Sequence, residues 1–216
     1  TSSDAFAAGG NTGSYSAATE EWTAPSTFTQ LNLGQVYYNS TTNTFKVTQQ
    51  PVPGGTWSSG GNLNSERESW AGVSGTRDAS ITFGGYPGSP SNANTETYNG
   101  TSWTEVNNLN TGRHGNAGAV NGSQTATLSF GGTPPTSGVT EDWDGSSWTE
   151  VNDLNTSRFY IMGAGTATAA LGFGGRPPGS HRTETETWDG SSWTEVSELN
   201  DGRSYGGSAG TSTAAI

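Results

Sequence analysis

Apolar side chains come in short alternating pairs along this chain, not in long runs. Ile81 and Phe83 alternate with polar residues in "SITFGG", as do Leu128 and Phe130 in "TLSFGG"; in "ALGFGG", Leu171 and Phe173 flank a glycine. Alternation over so few residues predicts a strand with one buried face. The paired glycines end that strand where the chain needs unusual dihedrals or close backbone approach. A variable loop follows, and then "TETYNGTSWTEV", "TEDWDGSSWTEV" or "TETWDGSSWTEV". Each of these reads as two strands joined at Asn99-Gly100, Asp144-Gly145 or Asp189-Gly190. Such dipeptides predict a tight hairpin with two positive-φ positions. One large aromatic stands at the end of each strand, available for packing. A further strand follows an Arg, in "RHGNAGAV", "RFYIMGAG" and "RSYGGSAG".

The pattern recurs at a fixed interval. Trp57, Trp103, Trp148 and Trp193 are spaced 46, 45 and 45 residues apart, and Arg67, Arg113, Arg158 and Arg203 keep the same spacings. Four antiparallel strands in a unit of about 45 residues describe one blade of a β-propeller. A lone blade cannot cover both faces, so the unit must recur. The fold class expected is all-β, a β-propeller of four-stranded antiparallel blades in a single domain, 1–216. Four Arg markers indicate four blades, but an irregular hairpin at 35–49, "QVYYNSTTNTFKV" at its centre, adds strands. Five blades with one irregular are favoured over four plus an inserted hairpin. N-terminal strands within 4–33, including "ATEEWT" and "STFTQLNL", are expected to complete a blade begun at 203–216. Ala214-Ala215-Ile216 and Ala5-Phe6-Ala7 compete for one strand slot there. Either one end pairs at the outer edge, or the chain is a slice of a longer array. The first residue is Thr1 rather than Met, as expected of a processed chain or a fragment.

At these residues the unit resembles the kelch repeat, which carries an Arg, a strand, a second strand ending in a double Gly, and a spaced pair of aromatics. Arg113, Gly131-Gly132, Trp143 and Trp148 take those places. The aromatics stand closer together than in the family pattern, making this a tightened variant. "LGQVYYNSTTNTFKV" also resembles modules of bacteriophage tail-fibre and virion proteins, and "GSSWTEVNDLNT" is similar to arrays in marine phage structural proteins. The resemblance implies a binding scaffold without implying one partner.

Net charge narrows the partners. It is −11, with Lys46 the one lysine. So acidic a surface disfavours nucleic acid and anionic membrane. No apolar run approaches the roughly 20 residues that span a bilayer, so membrane insertion is not expected. Low apolar content would suit disorder, but eight Trp and the strict repeat argue for a thin core carried by aromatics. There is no cysteine, which excludes disulfides and Cys-ligated metal. It also removes the Cys-modified Tyr of the copper radical oxidases found among kelch-like propellers.

Candidate chemistry is sparse. The two histidines, His114 and His181, are too few for a His-rich metal site. No cofactor, metal or catalytic residue is expected. Sialidase-type propellers gather an Arg cluster, and the four repeated Arg could imitate one. Their equivalent places in each unit instead predict ion pairs between blades, with Glu96, Glu141 and Glu184 as partners. Recognition is expected in the loops after the double glycines, because loops on a rigid scaffold carry binding residues. "RPPGSHR" alone combines positive charge with proline stiffening, and Tyr15 and Tyr86 offer aromatic faces. The expected binding residues are Tyr86, Arg176, His181 and Arg182. The function expected is a non-enzymatic structural or recognition module, a phage virion or tail-fibre component. Its partner would be a host cell-surface glycan or protein, or other virion proteins, and its location the virion or extracellular space. The alternative is a sialidase- or lyase-like glycan-processing propeller.

Overall fold

A computed structural model describes residues 4–11, 15–23, 36–39, 44–47, 56–67, 71–86 and 91–215, with side chains from Ser58 onward. Every element in it is a strand. The first five are β1 (Asp4–Asn11), β2 (Tyr15–Thr23), β3 (Val36–Asn39), β4 (Thr44–Val47) and β5 (Thr56–Ser59). Three complete blades follow. The first blade holds β6 (Gly72–Thr76), β7 (Ala79–Phe83), β8 (Thr95–Tyr98) and β9 (Trp103–Val106). The second holds β10 (Ala117–Gly118), β11 (Thr127–Phe130), β12 (Thr140–Trp143) and β13 (Trp148–Val151). The third holds β14 (Met162–Thr166), β15 (Ala169–Phe173), β16 (Thr185–Trp188) and β17 (Trp193–Glu195). A last pair is β18 (Gly210–Thr211) and β19 (Ala214–Ala215).

Each blade is a four-stranded antiparallel meander in sequence order, and the protein is an all-β propeller of such blades. The strand after each Arg heads its sheet: β10 pairs with β11, and β14 with β15. The first strands β6, β10, β14 and β18 lie side by side across the units. They approach backbone to backbone. A Cβ added to Gly118 would sit 2.7 Å from the Val73 carbonyl oxygen, and one added to Gly163 would run into that of Gly118. Both glycines of each double-Gly pair in the complete blades have positive φ, as with Gly131 (69°) and Gly132 (117°).

The N-terminal strands form a sheet ordered β1-β2-β5. Its register opposes Trp22 to Trp57, as Trp143 opposes Trp148 and Trp188 opposes Trp193. β5 therefore takes the place of a fourth blade strand. The segment "STFTQLNL", expected there, lies outside the described residues. β3 and β4 pair with each other within the expected 35–49 hairpin. Because β2 bonds directly to β5, that hairpin interrupts the connection between two paired strands. This is the connectivity of the second arrangement, blades plus an inserted hairpin. Among the described residues, β1 pairs with β2 and β18 with β19, in separate sheets.

The hairpin corrects one detail. Trp143 and Trp148 face each other across four residues, Asp144 to Ser147. Only Gly145 there has positive φ, 95°. The Asp side chain does the rest: Asp144 Oδ1 accepts from the Ser146 and Ser147 backbone N–H groups, both at 2.8 Å, and from Ser146 Oγ–H at 2.8 Å. Those bonds favour the carboxylate, and its pKa falls to about 2. Asp189 repeats the arrangement and is lowered for the same reason.

The core lies between blades. Phe83 packs on Trp148, and Phe130 on Trp193, each pair 4.8 Å between ring centres. Trp148 Nε1–H donates to Thr95 Oγ1 of the preceding blade, and Trp193 Nε1–H to Thr140 Oγ1, both at 3.0 Å. Trp143, Trp148, Trp188 and Trp193 are all buried. The paired aromatics of the hairpin are thus structural.

Candidate functional site

The repeated Arg residues are the first candidates, and three of them are held by the fold. Arg67, Arg113 and Arg158 are buried, as are Glu96, Glu141 and Glu186. The Nη2 atoms lie 2.6, 3.0 and 2.9 Å from the respective Oε1 atoms. The remaining carboxylate oxygen is also used. Asn110 donates to Glu141 Oε2 from its backbone N–H and its side-chain amide, both at 2.8 Å. Asn64 and Asn155 do the same to Glu96 and Glu186. Burial pulls each guanidinium pKa down, and the adjacent carboxylate partly offsets it. Each Arg also donates to backbone carbonyls, Arg158 Nη1–H to Glu184 O at 2.7 Å. These contacts fix the connection between blades to the third strand of the next blade.

The third partner differs from the expectation. It is Glu186, whereas Glu184 pairs with Arg182 at 3.0 Å. "TETETW" offers two Thr-Glu dipeptides, and only the one directly preceding Thr187-Trp188 occupies the strand position of Glu96 and Glu141. Arg203 is the exception among the four. It is exposed, and its Nε–H donates to the Asp201 carbonyl oxygen at 3.4 Å.

The loop end of the blades carries a different set. Tyr86, after the first double Gly, meets the ring of His114 at 4.8 Å, tilted by 56°. His114 lies 6.4 Å from the ring of Tyr160, and Tyr160 stacks on Tyr205 at 4.2 Å. Phe159 meets Tyr160 at 4.5 Å. Arg176 lies 5.9 Å over Phe159, and its Nη1–H donates to the Tyr205 hydroxyl at 3.3 Å. The rings thus step from one unit to the next along the loop end. Backbone pairing sets the spacing, because the residue after each Arg bonds the residue after each double Gly. His114 pairs with Thr133 and Phe159 with Arg176.

The expected residues separate on this surface. Tyr86 and Arg176 stand at opposite ends of the aromatic row. His181 is exposed and shares a hydrogen bond with Ser204 Oγ at 2.8 Å. Arg182 is partly neutralised by Glu184. Tyr15 begins β2, and its side chain is outside the described set. His114, Phe159, Tyr160 and Tyr205 were not expected, although their signal was present. All are the first or second residue after a repeat Arg, where otherwise similar units read "RHG", "RFY" and "RSY".

The row ends at a cavity of about 330 Å³ along the first strands. Val73, Asn116, Gly118, Tyr160, Tyr205 and Ser208 line it. Tyr160 and Tyr205 are therefore shared between the row and the cavity mouth. Among the described residues no group of three or more His, Cys, Asp or Glu could hold a metal ion. Nor is any helix of the described residues long and apolar enough to cross a membrane.

No protein-family model matches the chain, and no curated protein does. Among solved structures the chain is similar to that of YjhT, with 12% identity and a TM-score of 0.63. The match covers 96% of this chain and 71% of that one. At such identity the likeness speaks for the fold, and it agrees with the blades seen here: antiparallel sheets set side by side as in a propeller.

Proposed function

We propose that the protein is a non-enzymatic recognition module on a kelch-like propeller, carried on a bacteriophage virion, most concretely in a tail fibre. There it binds a host-surface glycan or protein. The supporting observation is the row Tyr86–His114–Tyr160–Tyr205, with Arg176 over Phe159, at the loop end. Aromatic faces beside a fixed guanidinium suit stacking on the apolar face of a sugar ring, with Arg176 supplying donors to its hydroxyls or acids. Tyr205, 48% exposed, offers the most accessible face. The burial of Arg67, Arg113 and Arg158 in ion pairs supports recognition over hydrolysis, because these side chains are committed to the fold.

A glycan array probed with the purified protein tests this reading. Retention is expected on a subset of glycans and should be lost with Tyr205→Asn. Asn tolerates the positive φ of 65° at that position. Release of a cleaved sugar would place the protein among glycan-processing enzymes instead. Absence of binding to any glycan or host surface would overturn the proposal.

A further inference from the structure

Two tyrosines hold a backbone shape that suits glycine. In three successive units the second residue after the repeat Arg is Gly115, Tyr160 and Tyr205. All three have positive φ, at 68°, 52° and 65°. Backbone bonds tie them together: Tyr160 N–H donates to the Gly115 carbonyl oxygen at 2.7 Å, and Tyr205 N–H to that of Tyr160 at 3.3 Å. Glycine adopts this left-handed region freely, whereas a residue with a side chain is strained there. Among the described residues, no other side-chain-bearing residue has positive φ.

The sheets do not require a ring at this place, since the second blade forms the same four-stranded meander behind Gly115. Yet the surroundings are fitted to the rings. A Cβ on Gly115 would sit 2.8 Å from Tyr160 Cδ1, so the glycine makes room for the tyrosine of the next unit. Tyr160 in turn stacks on Tyr205 at 4.2 Å. Strain that recurs at one position, held by its neighbours, points to use of the strained side chains.

Both rings border the cavity of about 330 Å³ at the first strands. Four successive units wall it, with Val73 from β6, Asn116 before β10, Ile161 before β14 and Ser208 from the last unit. No residue lining it carries a charge, in a chain whose net charge is −11. An ionised group would enter unpaired, at a desolvation cost that a neutral group does not meet. Cavities of about 300 Å³ and above hold small ligands. Two aromatic faces with Val73 and Ile161 suit the C–H face of a sugar ring, and Asn116 and Ser208 add polar side chains. Arg176 lies outside, over Phe159.

We propose that Tyr160 and Tyr205 are kept in strained backbone to bind the end of a glycan. A neutral terminal pyranose enters the cavity against their rings, and the next sugar lies outside, toward Arg176. This inference rests on the glycan-binding reading above; it adds which part of the glycan is read and that this part is uncharged.

Saturation-transfer NMR on the full chain tests it, with methyl glycosides of neutral pyranoses and of the matching uronic acids as probes. At least one neutral glycoside should bind, and its uronate should bind about tenfold more weakly or worse. Tyr160→Gly suits the φ of 52° and should weaken binding about tenfold or more, while Tyr160→Phe, which keeps the ring, should retain it. The thermal midpoint of Tyr160→Gly should stay near wild type, because relief of strain offsets the lost ring contacts. A marked drop with sugar binding unchanged would make Tyr160 a packing residue and overturn the proposal. Val73→Trp fills the cavity from β6, at a side chain 44% exposed, and should abolish binding without touching either tyrosine. Binding that survives Val73→Trp, or a uronate held as well as its neutral partner, overturns the proposal. So does the absence of any monosaccharide binding. If the glycan array still retains the protein in that case, the earlier reading stands without a terminal seat; an empty array removes both.

Discussion

Arg158 and Arg203 stand behind the same Leu-Asn pair in consecutive repeats, yet one is wholly buried and the other exposed. Arg158 has Glu186 at 2.9 Å and two backbone carbonyls. Among the described residues, Arg203 reaches a carbonyl two residues back and no carboxylate. Nothing in the seven residues around either Arg accounts for this. The difference lies in what the following unit brings, a complete blade in one case and the short pair β18-β19 in the other. A repeated motif in this fold is one side of a contact, and its burial is decided by the neighbour.

The sharpest way to break that comparison is to remove the two guanidinium groups separately. Arg158→Met leaves Glu186 buried without its partner and should cost about 3–5 kcal/mol in chemical denaturation. Arg203→Met, at an exposed position, should stay within about 0.5 kcal/mol, as at ordinary surface positions. Equal losses would mean that the motif itself carries the energy.

A loss of similar size tests the aromatic contact between blades. Trp148→Ala removes the ring on Phe83 and the bond to Thr95, and should cost about 3–5 kcal/mol. Unfolding indistinguishable from wild type would free these Trp residues for a ligand role.

The loop end should respond much less. Arg176→Ser with Arg182→Ser removes a cation–π contact and a partly exposed ion pair, and should change stability by no more than about 1 kcal/mol. Attachment to a glycan or host surface should weaken nonetheless. Unchanged attachment, with loss on mutating the hairpin edge, would move recognition to the other end of the blades.

The smallest effect separates two neighbouring acids. Asp144 is lowered to about 2 by the Ser147 and Ser146 N–H bonds, whereas Asp142 is raised by burial and then by the charge of Asp144. NMR titration should place their midpoints on opposite sides of the ordinary Asp value, about 3.9. The sign follows for the hairpin. Its Asp144 contribution is full above the unfolded pKa and fades as pH falls through about 2. An Asp144 midpoint near the ordinary value would show that the turn bonds are not formed in solution.

The blades were legible because their signals are local. Period-two alternation in "TLSFGG" and the aromatics of "WDGSSW" each specify a strand within a few residues. The same locality misread the turn, since Asp-Gly suggested a two-residue loop. What sets its length is the Asp144 side chain, which collects the backbone N–H groups of Ser146 and Ser147, as Asn99 collects those of Thr101 and Ser102. Register defeated the choice between Glu184 and Glu186, because a doubled Thr-Glu leaves two candidates until Trp188 is paired. The aromatic row was missed for a different reason. Its members come from different units at different offsets after the Arg, and only the folded stack of units brings them into line. The pairing of β2 with β5 across a whole inserted hairpin has no local signature either.

The glycines of the first strands carry a lesson about ancestry. Gly118 and Gly163 have no room for a side chain, because each lies against a carbonyl of the preceding unit. The equivalent place in the last unit holds Ser208, whose hydroxyl donates to the Gly163 carbonyl at 2.7 Å. Any single gain of bulk at an inner glycine must therefore be matched by a shift in the unit before it. A lineage that lengthens such an array by copying one unit copies that restriction along with it. Diversity can then accumulate at the loop end, while the inner strands drift only toward Gly and other small residues.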